Sequence, residues 1–233
     1  MNSIGLQTAG SADKLFEQTA WLTIIKINGY PLMSLLWNVF LLLIPWLALR
    51  WLWSLYQKGQ FKTWRARWEA AVAFFIWLIF IPNTAYIITD ARHLVDPYCQ
   101  MDLYYRVCPD KAWAIIVFFS YAVIGWLSLV YLIRPMRQLV EKLWHKEAGT
   151  VFVIALMPAV ALGVLLGLID RWNSWQLLNA PWAVLQSAGN YFMEPEPLKN
   201  WLIFTAALYL LYWVGDRLFI RYDKGVKKKI KGS

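Results

Sequence analysis

The sequence is poor in the groups that carry most enzyme chemistry. It has two histidines and two cysteines in 233 residues. His145 lies in a basic segment, far along the chain from His93. An HExxH helix, a Gly-rich phosphate loop and a Ser or Cys nucleophile motif are all missing. These absences remove the common zinc-hydrolase, P-loop and nucleophile signatures, and they leave enzymatic activity undecided. Charge is scarce too, at 16% of residues against 60% hydrophobic, and the mean hydropathy is +0.43. One soluble core of this length would not use so much apolar sequence. Neither a second soluble domain nor an internal repeat is visible. The first thirty residues lack a basic start, short apolar core and small-residue cleavage site in that order, so no removable signal peptide is expected.

What is present is a set of long apolar runs. About 20 apolar residues cross a hydrocarbon core of about 30 Å with every backbone group paired inside the helix. The runs near 32–52, 69–89, 112–133, 150–169 and 200–220 meet that requirement. The expected fold is therefore all-α, a polytopic transmembrane bundle of about five spans. The chain divides into an N-terminal interfacial segment (1–31), the helical bundle (32–220) and a basic tail (221–233). Pro45, Pro82 and Pro158 fall inside or near the ends of runs, where each removes a backbone donor and frees a carbonyl.

Sixteen of the 23 basic residues fall in the segments after the first and third runs and after the last, including the tail KGVKKKIKGS. Lys and Arg are retained on the cytoplasmic side, so the N-terminus is expected outside and the C-terminus inside. The net charge of +9 is then a topology signal and calls for no nucleic-acid partner. Membrane lipids are the expected surroundings, and a bacterial-type cell membrane the expected location. Cys99 and Cys108 share one outer loop, where a disulfide would close a short ring in an oxidising compartment. Of 16 tryptophans, Trp46, Trp51, Trp53, Trp64 and Trp68 gather near the inner boundary, whereas Trp77 and Trp126 lie in span interiors as core or lipid contacts.

Two polar clusters interrupt this pattern, both on the outer side. In FIPNTAYIITDARHL (80–94), Asn83, Tyr86, Asp90 and His93 are spaced three, four and three apart, the stripe of one helical face, with Thr89 at its edge. Asp90 with His93 at i, i+3 suits an acid/base relay or half a metal site, although no metal set is assigned. The plainer alternative has Asn83 and Asp90 bridging helix ends, Tyr86 in the interfacial belt and His93 solvated. The second cluster, LIDRWNSWQLLNAPW (168–182), supplies Arg171, Asn173 and Ser174, with Trp172 and Trp175 as flat rings. Arg171 either pairs with Asp90 or holds a phosphate or carboxylate. A shared membrane depth lets both clusters meet over one outer-facing cavity.

Helix packing there is prepared by Ala155, Ala159, Gly163 and Gly167, a small residue every fourth position. Residues 14–30 and 176–193 are too short or too polar to cross, and the second segment is expected to be an interfacial or re-entrant helix roofing the cavity.

The stretches LLWNVFLLLIPW (35–46), WLIFIPNTAYIITDARHL (77–94), IGWLSLVYL (124–132) and GVLLGLIDRWNSWQ (163–176), in this order, resemble the bacterial membrane-protein family known as domain of unknown function 1361. The chain departs from that pattern at Ala85, at Leu168 and at Gln176, where the family carries an Asp. The resemblance implies the fold and a shared polar site, and implies no activity or cofactor. The residues themselves favour a non-catalytic binding, assembly or scaffold protein whose cavity recognises a lipid, pigment or membrane-protein partner segment. The alternatives are an enzyme acting on an outer-leaflet lipid or isoprenoid, with Asp90 and His93 as base or ligands, and a small transporter.

Overall fold

The computed structural model describes residues 26–27, 30–59, 61, 63–94 and 113–231, with only the backbone described beyond 220. Cys99, Cys108 and the expected disulfide lie outside the described residues, as does most of the N-terminal segment. Among the described residues, five stretches are long and apolar enough to cross a membrane: Leu32–Gln57, Trp64–His93, Trp113–Leu143, Lys146–Leu168 and Pro195–Ile220. They coincide with the five expected runs.

Proline and capping chemistry explain where the helices break. A two-residue ladder, β1 (Lys26–Ile27) with β2 (Tyr30–Pro31), leads into the first span. That span is two helices, α1 (Leu32–Leu41) and α2 (Leu43–Gln57), because Pro45 brings no N–H for the carbonyl four residues before it. Gly59, at φ 63°, turns the chain beyond α2. Thr63 then caps α3 (Trp64–Phe80), its hydroxyl accepting from the Ala66 N–H at 3.3 Å; such a cap contributes about 1 kcal/mol. Pro82 ends α3 and starts α4 (Pro82–Thr89), which tightens into a 3-10 turn over Asp90–Leu94.

The third span, α5 (Trp113–Leu143), runs one full segment past the expected end at 133, through Pro135. Arg134, Arg137 and Lys142 therefore project from a helix, and Arg134 and Arg137 reach Asp216 at 3.4 and 3.6 Å. His145 caps α6 (Lys146–Leu168) by accepting from the Ala148 N–H. The expected roof is present as α7 (Gln176–Asn179) and α8 (Pro181–Met193), and α9 (Pro195–Lys231) continues through the basic tail.

The main core lies where α2, α3, α5, α6 and α9 meet, with Trp77, Ile81, Leu129, Ile133 and Met157 fully buried in it. Trp77 is thus a core residue. Trp126 is half-buried and donates to the Leu211 carbonyl at 2.8 Å. Pro158 deprives the Ile154 carbonyl of its helical donor, and the Tyr209 hydroxyl on α9 donates to that carbonyl instead. Trp201, also on α9, donates to the Pro158 carbonyl at 2.9 Å. The fourth span is therefore patched by the fifth at its proline.

The small-residue stripe on α6 divides between two surroundings. A Cβ on Gly163 would sit 2.7 Å from Pro82 Cγ, and one on Gly167 would be 3.4 Å from the Tyr86 ring and from the Trp172 carbonyl. The glycine half thus admits the first polar cluster against α6. Ala155 and Ala159 remain exposed.

Candidate functional site

Close approach of α4 to α6 leaves a cavity of about 330 Å³ at one end of the bundle. Its walls come from α1 (Trp37, Asn38, Leu41), α3 (Phe75, Leu78), the start of α4, and α6; its roof comes from Trp172–Trp175 and from Leu177, Val184, Leu185 and Ala188. Most of the lining is apolar and aromatic. Five of the nine sequence-derived site residues line it: Asn83, Tyr86, Asn173, Ser174 and Trp175. Asn83 and Ser174, 91 positions apart, are joined by a 3.2 Å hydrogen bond from Asn83 Nδ2 to Ser174 Oγ. The two polar clusters do meet over one cavity. The backbone N–H of Asn173 is held at 2.6 Å by Gln176 Oε1, so Gln176 pins this loop.

The remaining members of the first cluster lie on the other flank of the same helical face. Asp90 is fully buried and does not line the cavity. Its Oδ2 accepts from Asn38 Nδ2 at 3.2 Å, while its Oδ1 has no hydrogen-bond partner among the described residues and lies 3.9 Å from both Arg92 and His93 Nε2. His93 stacks on Tyr30, ring centroids 4.1 Å apart, and faces Phe118 at 5.9 Å. It is a packed ring, where a solvated one was the plainer alternative. Burial first, and then the charge of Asp90, hold the Tyr30 phenol above its ordinary value. Thr89 spends its hydroxyl on the Tyr86 carbonyl at 2.7 Å, a local bond along the helix.

Arg171 corrects one expectation. Its φ is 62° and its side chain is exposed, and among the described residues no ion pair within 4 Å joins it to Asp90. The loop must reverse tightly to bring Trp172 back over α6, where the Trp172 N–H bonds the Leu166 carbonyl at 3.0 Å. That reversal places residue 171 in the left-handed region and turns its side chain outward. Asn38 and Arg92 are the nearer partners of Asp90, and Arg171 acts on it only as a more distant charge.

Sequence reasoning passed over Asn38, Trp37, Tyr30 and Arg92. Asn38 is the hinge of the arrangement, since it both lines the cavity and hydrogen-bonds Asp90 and the Tyr30 hydroxyl, the latter at 3.4 Å. Its signal was available: a lone amide within the apolar run LLWNVFLLLIPW. Arg92 donates to the Tyr86 hydroxyl at 3.4 Å and so connects the Asp90 flank to the cavity wall. No group of three or more His, Cys, Asp or Glu side chains assembles for a metal ion among the described residues.

The roof is anchored at both ends. The Tyr191 hydroxyl on α8 donates to Asp170 Oδ2 at 3.1 Å, with burial and the Asp170 charge raising the Tyr191 phenol. Val184 and Tyr191 pack with Leu165 and Leu166 of α6. Polar groups that converge on a mostly apolar concavity at the end of a helix bundle are suited to orienting one end of an amphiphile.

No curated protein and no solved structure matches the chain. The sequence profile of the family described as Protein of unknown function (DUF1361) matches residues 37–213, which include α3 to α8 and every cavity-lining residue. The chain belongs to this DUF1361 family.

Proposed function

We propose that this protein is a non-catalytic lipid-binding protein of the membrane, with its cavity in the outer half of the bilayer. The observation that carries the reading is the cavity's lateral exposure. Phe75, Leu185 and Ala159 line the cavity and are also exposed, at 52% and 55% for the first two, so the apolar wall continues onto the lipid-facing surface. A ligand dissolved in the bilayer has a way in without crossing water. The roof helix supports the same reading: while Val184 and Tyr191 pack inward, Trp182, Leu185 and Phe192 form an exposed apolar stripe suited to the lipid interface.

Binding fits the geometry better than the alternatives. Asp90 and His93 stand behind Asn38 and outside the cavity wall, so a substrate seated in the cavity would not touch the acid/base pair. A second cavity of about 420 Å³, lined by Arg137, Tyr212 and Asp216, opens at the opposite end. Along α6 the two are separated by the buried Leu156 and Met157, an arrangement that favours two sites over one path.

The orientation belongs to this proposal as well. The α2–α3 connection, the α5–α6 connection and the end of α9 share one end of the bundle, and that end carries most of the basic residues. We place it in the cytoplasm and the cavity on the extracytoplasmic side. With Cys99 and Cys108 replaced by Ser, a membrane-impermeant thiol reagent should label Trp182→Cys in intact cells and Lys146→Cys only after permeabilisation; the reverse pattern rejects this orientation.

The binding reading is tested by native mass spectrometry and lipid extraction of gently purified protein, comparing wild type with Ala159→Phe. Ala159 is exposed, so a phenyl ring there occupies the cavity mouth without displacing core packing. Wild type should retain a lipid mass that the variant lacks. Equal lipid content in both would refute binding at this cavity.

A further inference from the structure

The hydrogen-bond directions in the cavity wall specify a headgroup. A carboxylate can only accept and a guanidinium can only donate. Asp90 Oδ2 therefore takes the amide nitrogen of Asn38, which turns the amide oxygen of this cavity-lining residue away from the carboxylate. Arg92 donates to the Tyr86 hydroxyl, which leaves the Tyr86 proton available to donate. Asn83 and Ser174 bond one another, and whichever of them donates, the pair retains both a donor and an acceptor. The wall thus presents donors and acceptors together, all on neutral groups, and among the described residues no charged side chain lines the cavity, Arg92 standing behind Tyr86.

Three headgroup chemistries can be compared against that wall. A phosphate would bring charge into a largely apolar space that no cation lines among the described residues, an arrangement that costs several kcal/mol when unpaired. A quinone or ketone only accepts and would leave the amide oxygens unanswered. A hydroxyl gives one hydrogen bond and takes others, so it answers both kinds of group at once. The flat rings of Trp37, Trp172 and Trp175 and the side chains of Phe75 and Leu185 suit the hydrocarbon part leading to the open side.

Building on the lipid-binding reading, we propose that the ligand is an uncharged, hydroxyl-bearing amphiphile, its head held by Asn38, Asn83, Tyr86 and Ser174 and its chains leaving the cavity past Phe75 and Leu185. Asp90 and Arg92 act here as positioning residues, fixing the direction of the Asn38 amide and of the Tyr86 hydroxyl.

The test titrates full-length protein in detergent with a diacylglycerol and with phosphatidic acid of identical chains, read by native mass spectrometry. The two probes differ only in the phosphate. Diacylglycerol should bind at least about tenfold more tightly. Ser174→Ala should weaken it about fivefold while lowering the thermal unfolding midpoint by no more than the loss of one hydrogen bond, and Ser174→Thr should restore both. Arg171→Gln should change neither probe, and Ala159→Phe should block both. Phosphatidic acid binding as tightly or more tightly, or a retained native lipid with a charged headgroup, overturns the headgroup assignment while lipid binding stands. If neither probe binds and wild type retains no lipid that Ala159→Phe removes, the lipid-binding reading itself fails, and this proposal with it.

Discussion

Replacing Gly163 by valine probes the contact on which the cavity's geometry depends. A Cβ at this position would lie 2.7 Å from Pro82 Cγ and 2.9 Å from Pro82 Cβ, against an optimum of about 3.5–4.0 Å between carbons. Pro82 cannot rotate out of the way, since its ring is closed onto the backbone nitrogen. α4 and α6 must instead part by about 1 Å, and valine's two further methyl groups enlarge the conflict. Overpacking of this kind costs about 1–3 kcal/mol, and we expect the upper half of that range. Gly189 on α8 provides the control: nothing lies within 4 Å of a Cβ there, so Gly189→Ala should stabilise by about 0.5–1 kcal/mol through helix preference alone. Reversible unfolding in mixed micelles, titrated with dodecyl sulfate and followed by tryptophan fluorescence, measures both. Because Asn83 follows Pro82 directly, Gly163→Val should also break the Asn83–Ser174 bond and lower lipid retention. If Gly163→Val unfolds with wild type while Gly189→Ala shifts as expected, close packing of α4 on α6 is not what supports the site.

Two further outcomes can be checked with the same unfolding assay. Tyr209→Phe should cost about 1–2 kcal/mol by leaving the Ile154 carbonyl without a donor. In a Pro158→Ala background, where residue 158 regains its N–H, the cost should fall close to zero; an undiminished cost would show that Tyr209 stabilises by packing. Asn38→Leu should cost about 2–4 kcal/mol, because it removes the hydrogen bond to a fully buried carboxylate. Adding Asp90→Leu should recover part of that loss, and simple additivity of the two changes would argue against their coupling.

The spans were legible because the bilayer imposes a length and an apolar content that no other environment demands of 20 consecutive residues. Their ends were less so. The second span begins at Trp64 among basic residues, and the third passes Pro135 without stopping, since helix continuation at a proline depends on what packs around it. The meeting of Asn83 with Ser174 followed from shared membrane depth. The stripe Asn83–Tyr86–Asp90–His93 does occupy one flank of the second span, but two sets of neighbours divide it. α6 and the 172–175 loop face Asn83 and Tyr86, while Tyr30, Asn38 and Phe118 surround Asp90 and His93. A periodicity gives a direction around one helix and is silent about which partner stands there. The choice of Asn38 as the hydrogen-bond donor to Asp90 lay in tertiary packing, which brings in a single amide from 52 positions away.

The bond from Tyr209 to the Ile154 carbonyl has a bearing on how the chain is made. Spans enter the bilayer in order of synthesis, and the fourth arrives with a carbonyl that its own helix cannot satisfy, in a solvent that offers no hydrogen bond. The donor is translated about forty residues after that helix ends. Until α9 emerges, α6 is a costly guest in lipid, and its association with the earlier spans is provisional. Maturation of the bundle therefore waits on its last helix, and a chain that ends before Tyr209 keeps a carbonyl in the fourth span that its own helix cannot satisfy.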